Sequence, residues 1–301
     1  MIGNWFGVRP LALVEDAAAK AAPSVRSGRS AAMAPRRLGT HPVLQFCVYT
    51  LLPPLCGFAL LIGAWALATG DESLFPTPWA TLEAAIVLFS DPFFVYGPND
   101  VGIGWHVLSS LERVGVGFGL AALVGIPLGF AIGRYLFVGR MMDPLISLFR
   151  PVSPLAWLPI GLLVFQGSDP AAIWTIFICS IWPMVINTAV GVQRLPQDYL
   201  NVARVLNLSE WKIFTKILLP AVLPYMLTGV RLAVGIAWLV IVAAEMLTGG
   251  VGIGFWVWDE WNNLNVTHII VAIFVIGSVG LMLELVLVRV AQAFTFEDVK
   301  S

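Results

Sequence analysis

Three stretches of this chain, Val43–Ala68, Val114–Gly133 and Ala171–Gln193, contain no Asp, Glu, Lys or Arg. A helix rises about 1.5 Å per residue, so some 20 residues cross the ~30 Å hydrocarbon layer of a bilayer. Backbone polar groups in lipid must be satisfied within the segment, which makes such runs helices rather than irregular chain. Composition agrees: 58% of residues are hydrophobic and 12% charged, where soluble chains carry about 25% charge. The expected class is an all-α integral membrane protein, surrounded by lipid.

Six spans are expected, at about 43–68, 113–135, 144–166, 170–193, 217–247 and 266–293. The third is interrupted by FRPVSPLAWLP, and the fifth holds Arg231 and Glu245. Arg36-Arg37 ahead of the first apolar run imitates a signal peptide. A signal core is only ~7–15 residues long, so the run reads as a retained span. Residues 1–42, rich in Ala, Ser, Pro and Arg, are expected to be a disordered tail.

Basic residues give the orientation. They fall in the tail (six of them), at Arg134 and Arg140, at Arg194, Arg204, Lys212 and Lys216, and at Arg289 and Lys300. The alternate gaps, 69–112, 167–169 and 248–265, hold acids and no Lys or Arg. Both termini are therefore expected in the cytoplasm, with residues 294–301 as a short tail. The outer segment 69–112 is expected to end in an interfacial amphipathic helix, Trp105–Arg113, after a turn at Gly102 and Gly104.

A net charge of −1 implies no polyanionic partner, so no nucleic acid. Cys47, Cys56 and Cys179 lie in apolar runs and read as buried inert thiols. His106 and His268 have no second ligand at metal spacing, so no metal is expected. There is no G-x-x-x-x-G-K-[ST], hence no phosphate loop and no cofactor bound by this chain. The glycine runs GVGFG (115–119) and GVGIG (250–254) read as packing or turn glycines.

Between two spans lies NVARVLNLSEWKIFTKILLPAVLP, residues 201–224. Pro196 and Asp198 suit a helix start. Tyr199, Val202, Ala203 and Leu206 follow i, i+3, i+4, i+7, which gives one apolar face. Asn207 tolerates the left-handed stop, and Ser209 with Glu210 can open a second helix. The residues alone also suit an interfacial helix that anchors a loop.

This stretch resembles the signature loop of ABC importer permeases: Glu-Ala-Ala, three residues, Gly, nine residues, Ile-x-Leu-Pro. Asn201-Val202-Ala203 falls on the first part, Asn207 on the Gly, and Ile217-Leu218-Leu219-Pro220 on the last. Asn201 for Glu, Val202 for Ala and Asn207 for Gly are departures. The loss of the Glu removes a carboxylate, and with it any salt bridge that this carboxylate makes in relatives. The resemblance implies a type I importer permease in a bacterial inner membrane. Its five-helix core would be residues 113–293, with a cytoplasmic coupling loop at 196–216. Asn201, Val202, Ala203, Arg204, Asn207, Glu210, Lys212, Ile217 and Pro220 would meet a separate cytoplasmic ATPase subunit. The implied partners are that ATPase, a periplasmic solute-binding protein and a second permease copy.

FRPVSPLAWLPIGL (149–162) and GVGIGFWVWDEWNNLNVTHIIVAIFVIG (250–277) resemble the permeases for nitrate and nitrite. Bicarbonate permeases are similar, and those for taurine and aliphatic sulfonates share the frame. A small inorganic anion is thus the implied cargo. Arg150, Arg231 and Glu245 lie within spans and are pathway or gating candidates; a structural partner on another helix is the alternative. Arg231 and Glu245 lie about 21 Å apart along one helix and cannot pair with each other. Trp256, Trp258, Asp259, Glu260 and Trp261 are candidates for binding-protein docking, or simply interface anchors. A secondary transporter should show inverted repeats and a broken-helix ion site. An intramembrane enzyme should show a nucleophile–base pair. Neither pattern is found.

Overall fold

The computed structural model describes residues 52–69 and 75–294. Packing divides the chain after Leu60, and the helical bundle is built from residues 61–294. The helices are α1 (Leu52–Ala68), α2 (Pro78–Ser90), α3 (Ile103–Arg134), α4 (Leu136–Phe149), α5 (Pro154–Phe165), α6 (Ser168–Gln193), α7 (Gln197–Val205), α8 (Glu210–Ile213), α9 (Leu219–Thr248), α10 (Ile253–Asn262) and α11 (Val266–Phe294). The sole β pairing among the described residues is one antiparallel bridge, Val95 to Val101.

Four helices are long and apolar enough to cross a membrane: α3, α6, the 39-residue length Glu210–Thr248, and α11. A fifth is obtained if α4 and α5 count as one broken span; they meet at 99°. That break is sharper than an interrupted third span suggests. Pro154 has no N–H, and a residue before proline is driven out of the helical region. Ser153 accordingly sits at φ −58°, ψ 136°. The described part of the first apolar run, Leu52–Ala68, is 17 residues; 43–51 lie outside the described residues, as do the tails 1–42 and 295–301.

Trp105–Arg113 is not a separate interfacial helix but the first part of α3. Ile103, His106, Ser110, Val114, Gly117 and Ala121 form one buried stripe across the expected boundary. Nothing between Arg113 and Val114 breaks a helix. The segment before it holds a helix that periodicity did not reveal, α2. Thr77 caps it by accepting from Ala80 N–H at 3.2 Å, and Pro78 takes its first turn. Cys56 is exposed on α1 rather than buried, Cys179 is partly buried, and both are unpaired; Cys47 lies outside the described residues.

The centre of the bundle is α3 against α6, with α9 packed on α6 and touching α3 as well. Gly117, Ala121, Gly125, Gly129 and Gly133 recur every fourth residue, a small-residue seam about four and a half turns long. Such seams let membrane helices approach backbone to backbone. At Gly129 an added Cβ would sit 2.6 Å from Thr188 Cβ and 2.7 Å from the Val185 carbonyl oxygen. At Gly133 it would sit 2.5 Å from Val192 Cβ. Gly129→Val is therefore expected to force α3 off α6, at a cost of at least about 1–3 kcal/mol. Thermal unfolding of the purified chain checks this, with Gly119→Val, where no atom lies within 4 Å of the added Cβ, as the neutral control.

Three clusters fill the core. One, around Ile103, Leu158, Ile176, Ile241 and Ile253, packs against the start of α10. A middle one is built on Ala121, Ile181, Met184 and Ala233. The third joins Phe130, Val192 and Val222 to the loop helices through Leu200, Ala203 and Ile213.

Candidate functional site

The loop between α6 and α9 folds as a short helix, a left-handed turn and a second helix. α7 stops where Asn207 takes φ +52°. Leu208 N–H then donates to the Ala203 carbonyl at 3.0 Å and Leu206 N–H to that of Val202 at 3.0 Å. This closes the helix end in the usual six-to-one manner. Leu208 and Ala203 share the third core cluster. Ser209 has the backbone of a cap (φ −64°, ψ 150°), but its side chain makes no capping bond.

The apolar face differs from the expected one. Leu200 and Ala203 are buried, whereas Tyr199, Val202 and Leu206 are exposed. Val205 is 85% exposed and Trp211 73%. At about 100° per residue, the apolar side chains of this helix and its turn sweep some 220° of its circumference. Only the edge carrying Leu200 and Ala203 is used by the bundle. The remainder is an apolar surface on a loop with charged neighbours: Glu210 and Lys212 are exposed, and Glu210 lies 3.4 Å from Arg134. Asn201 is exposed; the side chain of Arg204 lies outside the described set. The helical hydrogen bonding widens to a π turn at Phe214–Leu218. Pro220, which supplies no N–H, follows at once. Ile217 and Pro220 line a hollow of about 570 Å³ with Arg194, Lys216, Tyr199 and Tyr225. The Arg194 guanidinium lies 5.5 Å from the centre of the Tyr225 ring.

At the other end of the bundle, Glu245 is a buried hub, 1% exposed. Its Oε2 accepts from Gly254 N–H (3.0 Å) and lies 2.8 Å from the Ser110 hydroxyl. Its Oε1 accepts from Arg113 at 2.6 Å. Arg113 reaches on to Asp169 at the start of α6, with Nε and a terminal nitrogen each 2.9 Å from Oδ1. Ile253 N–H donates to Ser110 Oγ, and Gly252 N–H to His106 Nδ1. The positive N-terminus of α10 is thus satisfied by a carboxylate, a hydroxyl and an imidazole from α9 and α3. Room for this comes from glycine: a Cβ on Gly252 would lie 2.4 Å from the Glu245 carboxyl carbon, and one on Gly254 would lie 2.1 Å from the Val242 carbonyl oxygen. Of this cluster the sequence offers only Glu245 as a pathway or gating candidate, and His106 only as a histidine without metal spacing. By sequence, Arg113 reads as a span edge and the GVGIG glycines as packing or turn residues. The legible signal was an unassigned Glu within a span, which demands a basic partner near the same level.

Arg231 likewise has a partner on another helix, forming an ion pair with Glu284 of α11. Arg150 is exposed at the α4–α5 break, with no ion pair among the described residues. Of the α10 candidates, Trp256 packs between His106 (6.3 Å) and His268 (5.9 Å), and Glu260 Oε1 lies 3.0 Å from His268 Nδ1. Trp258, Asp259 and Trp261 are the outward-facing ones. Among the described residues no group of three or more His, Cys, Asp or Glu could hold a metal ion.

Residues 125–296 match the family described as binding-protein-dependent transport system inner membrane component. A nitrate import permease protein, NrtB, of Leptolyngbya laminosa is 48% identical over 77% of this chain and 84% of its own length. A bicarbonate transport system permease protein, CmpB, of Synechocystis sp. is 43% identical over 83% and 91%. Among solved structures, an inward-facing form of the MetNI methionine ABC transporter matches with a TM-score of 0.55. That match is 17% identical and spans 64% of this chain and 95% of the solved one, a likeness of fold.

Proposed function

As this chain belongs to the family of binding-protein-dependent transport system inner membrane components, we propose that it is the transmembrane permease subunit of an ATP-driven importer for nitrate or nitrite. The observation that carries the cargo is the 48% identity to a nitrate import permease across most of both chains. Bicarbonate is the second reading, favoured by 43% identity to a bicarbonate permease. In this reading two copies form the pathway, and a periplasmic solute-binding protein delivers the anion. A cytoplasmic ATPase pair docks on the apolar surface of α7, its turn and α8. ATP binding moves that loop and opens the pathway outward, and hydrolysis resets it.

The permease does no covalent chemistry and binds no cofactor. It supplies two states whose balance the partners shift by binding one better than the other. The solid third cluster beneath α7 supports a lever role, since a push on Ala203 is passed to Phe130, Val192 and Val222 on three spanning helices. The test is ATP-driven uptake in proteoliposomes holding this chain with its ATPase and binding protein. Nitrate, nitrite, bicarbonate and taurine are compared. ATP-dependent nitrate uptake is expected. Uptake of bicarbonate alone moves the cargo, and uptake without ATP overturns the importer reading.

A further inference from the structure

Arg231 and Glu284 lie at one level of the bundle. Arg231 is about 26 Å along α9 from Thr248, and Glu284 about 27 Å along α11 from Val266, the ends nearest α10. Both helices exceed 40 Å, so with a ~30 Å hydrocarbon layer centred on them the pair falls inside it. Yet in the single chain the two side chains are 53% and 50% exposed. A half-exposed ion pair at that depth cannot face acyl chains; such groups face protein or water. The same edge of α9 carries Ala221, Pro224, Thr228 and Gly235, all exposed, and exposed Leu239 joins it about two turns beyond Arg231. They fall within about 80° of Arg231 around the helix. A lipid-facing surface beside Arg231 would carry larger apolar side chains, as the side of α11 away from Glu284 does at Met282 and Val286.

We propose that this edge of α9 lines a water-filled path and that the Arg231 guanidinium contacts the passing anion, which takes the place of Glu284. This deepens the proposed transport function and rests on it for the anion. A guanidinium suits a planar oxyanion, because its forked N–H groups can donate to two oxygens. The Glu284 carboxylate makes the contact exchangeable: it holds the cation when no anion is present and competes the anion off. Strong retention would slow a transporter.

The test needs no knowledge of the cargo, so its failure and that of the nitrate reading are separable. Thr228→Cys is placed in a chain whose Cys47, Cys56 and Cys179 are serine, in membranes with its partners. Membrane-impermeant thiol reagents of either charge are applied, with a lipid-permeant maleimide as control. Rapid labelling by the impermeant reagents is expected. Glu284→Gln should raise the anionic-to-cationic rate ratio about tenfold, and Arg231→Gln should lower it, as a unit charge some 6 Å away in water does. Labelling by the maleimide alone overturns the proposal. So does a disulfide between two copies with no reagent access, since that would make the edge a dry interface. An unchanged ratio in both charge variants removes Arg231 from the path.

Discussion

Replacing Glu245 with alanine is expected to abolish transport by unfolding the α10 end of the bundle, at a cost of about 3–5 kcal/mol. The carboxylate is almost fully buried and has three groups around it, Arg113, Ser110 and Gly254 N–H. Its removal strands a cation whose side chain is only 12% exposed, together with the Gly254 N–H in the first turn of α10. Asp169 can hold Arg113 but is 66% exposed, and exposed pairs contribute about 0–1 kcal/mol. Asp169→Asn is therefore expected to be mild. Glu245→Gln should fall between, since an amide keeps one acceptor oxygen but presents N–H to Arg113. Gly252→Ala should resemble Glu245→Ala without any change of charge, because its Cβ would lie 2.4 Å from the carboxyl carbon. Thermal unfolding of the purified chains gives the order. If Gly252→Ala and Glu245→Ala both unfold like the parent, the cluster does not hold α10.

α3 and α6 could be located from charge-free runs, and α9 and α11 from long apolar stretches that carry Arg231, Glu245 and Glu284, because lipid leaves the backbone no choice but to be helical. Their ends were harder. α3 begins ten residues before the expected Arg113 start, since its first three turns carry His106, Ser110 and Arg113, which hydropathy scores as surface. Those residues are polar because they bond α10 and Glu245, so the buried cluster looked like an interface. The α4–α5 break was legible from Pro151, Pro154 and Pro159, but not its 99° angle, which depends on how α5 packs on α6. The turn at Asn207 could be read from one residue's conformational tolerance. The buried side of α7 could not: its apolar residues cover more than half the circumference, and periodicity alone does not say which edge meets the bundle. Glu284 drew no attention in the sequence, although the span it lies in and its separation from the helix end were both available to match it to Arg231.

Two substitutions two residues apart, on opposite sides of α7, separate anchoring from docking. Ala203 has no exposed surface and sits among Leu200, Ile213 and Val222. Ala203→Glu buries a carboxylate with no partner, and is expected to destabilise the chain by several kcal/mol and to remove transport with it. Val205 touches little of its own chain, being 85% exposed. Val205→Glu is expected to leave thermal unfolding within about 0.5 kcal/mol of the parent. If the apolar surface of Val205, Leu206 and Trp211 seats the ATPase, that charge must be desolvated on docking. Loss of at least about 2 kcal/mol of binding, some thirtyfold, is then expected, as for a central interface residue. Co-purification of the ATPase with the permease and uptake at saturating ATP report it: both should collapse in Val205→Glu while the permease itself remains folded. A Val205→Glu chain that retains its ATPase and transports like the parent would leave α7 as a membrane-surface anchor, and coupling would have to be sought elsewhere on the loop.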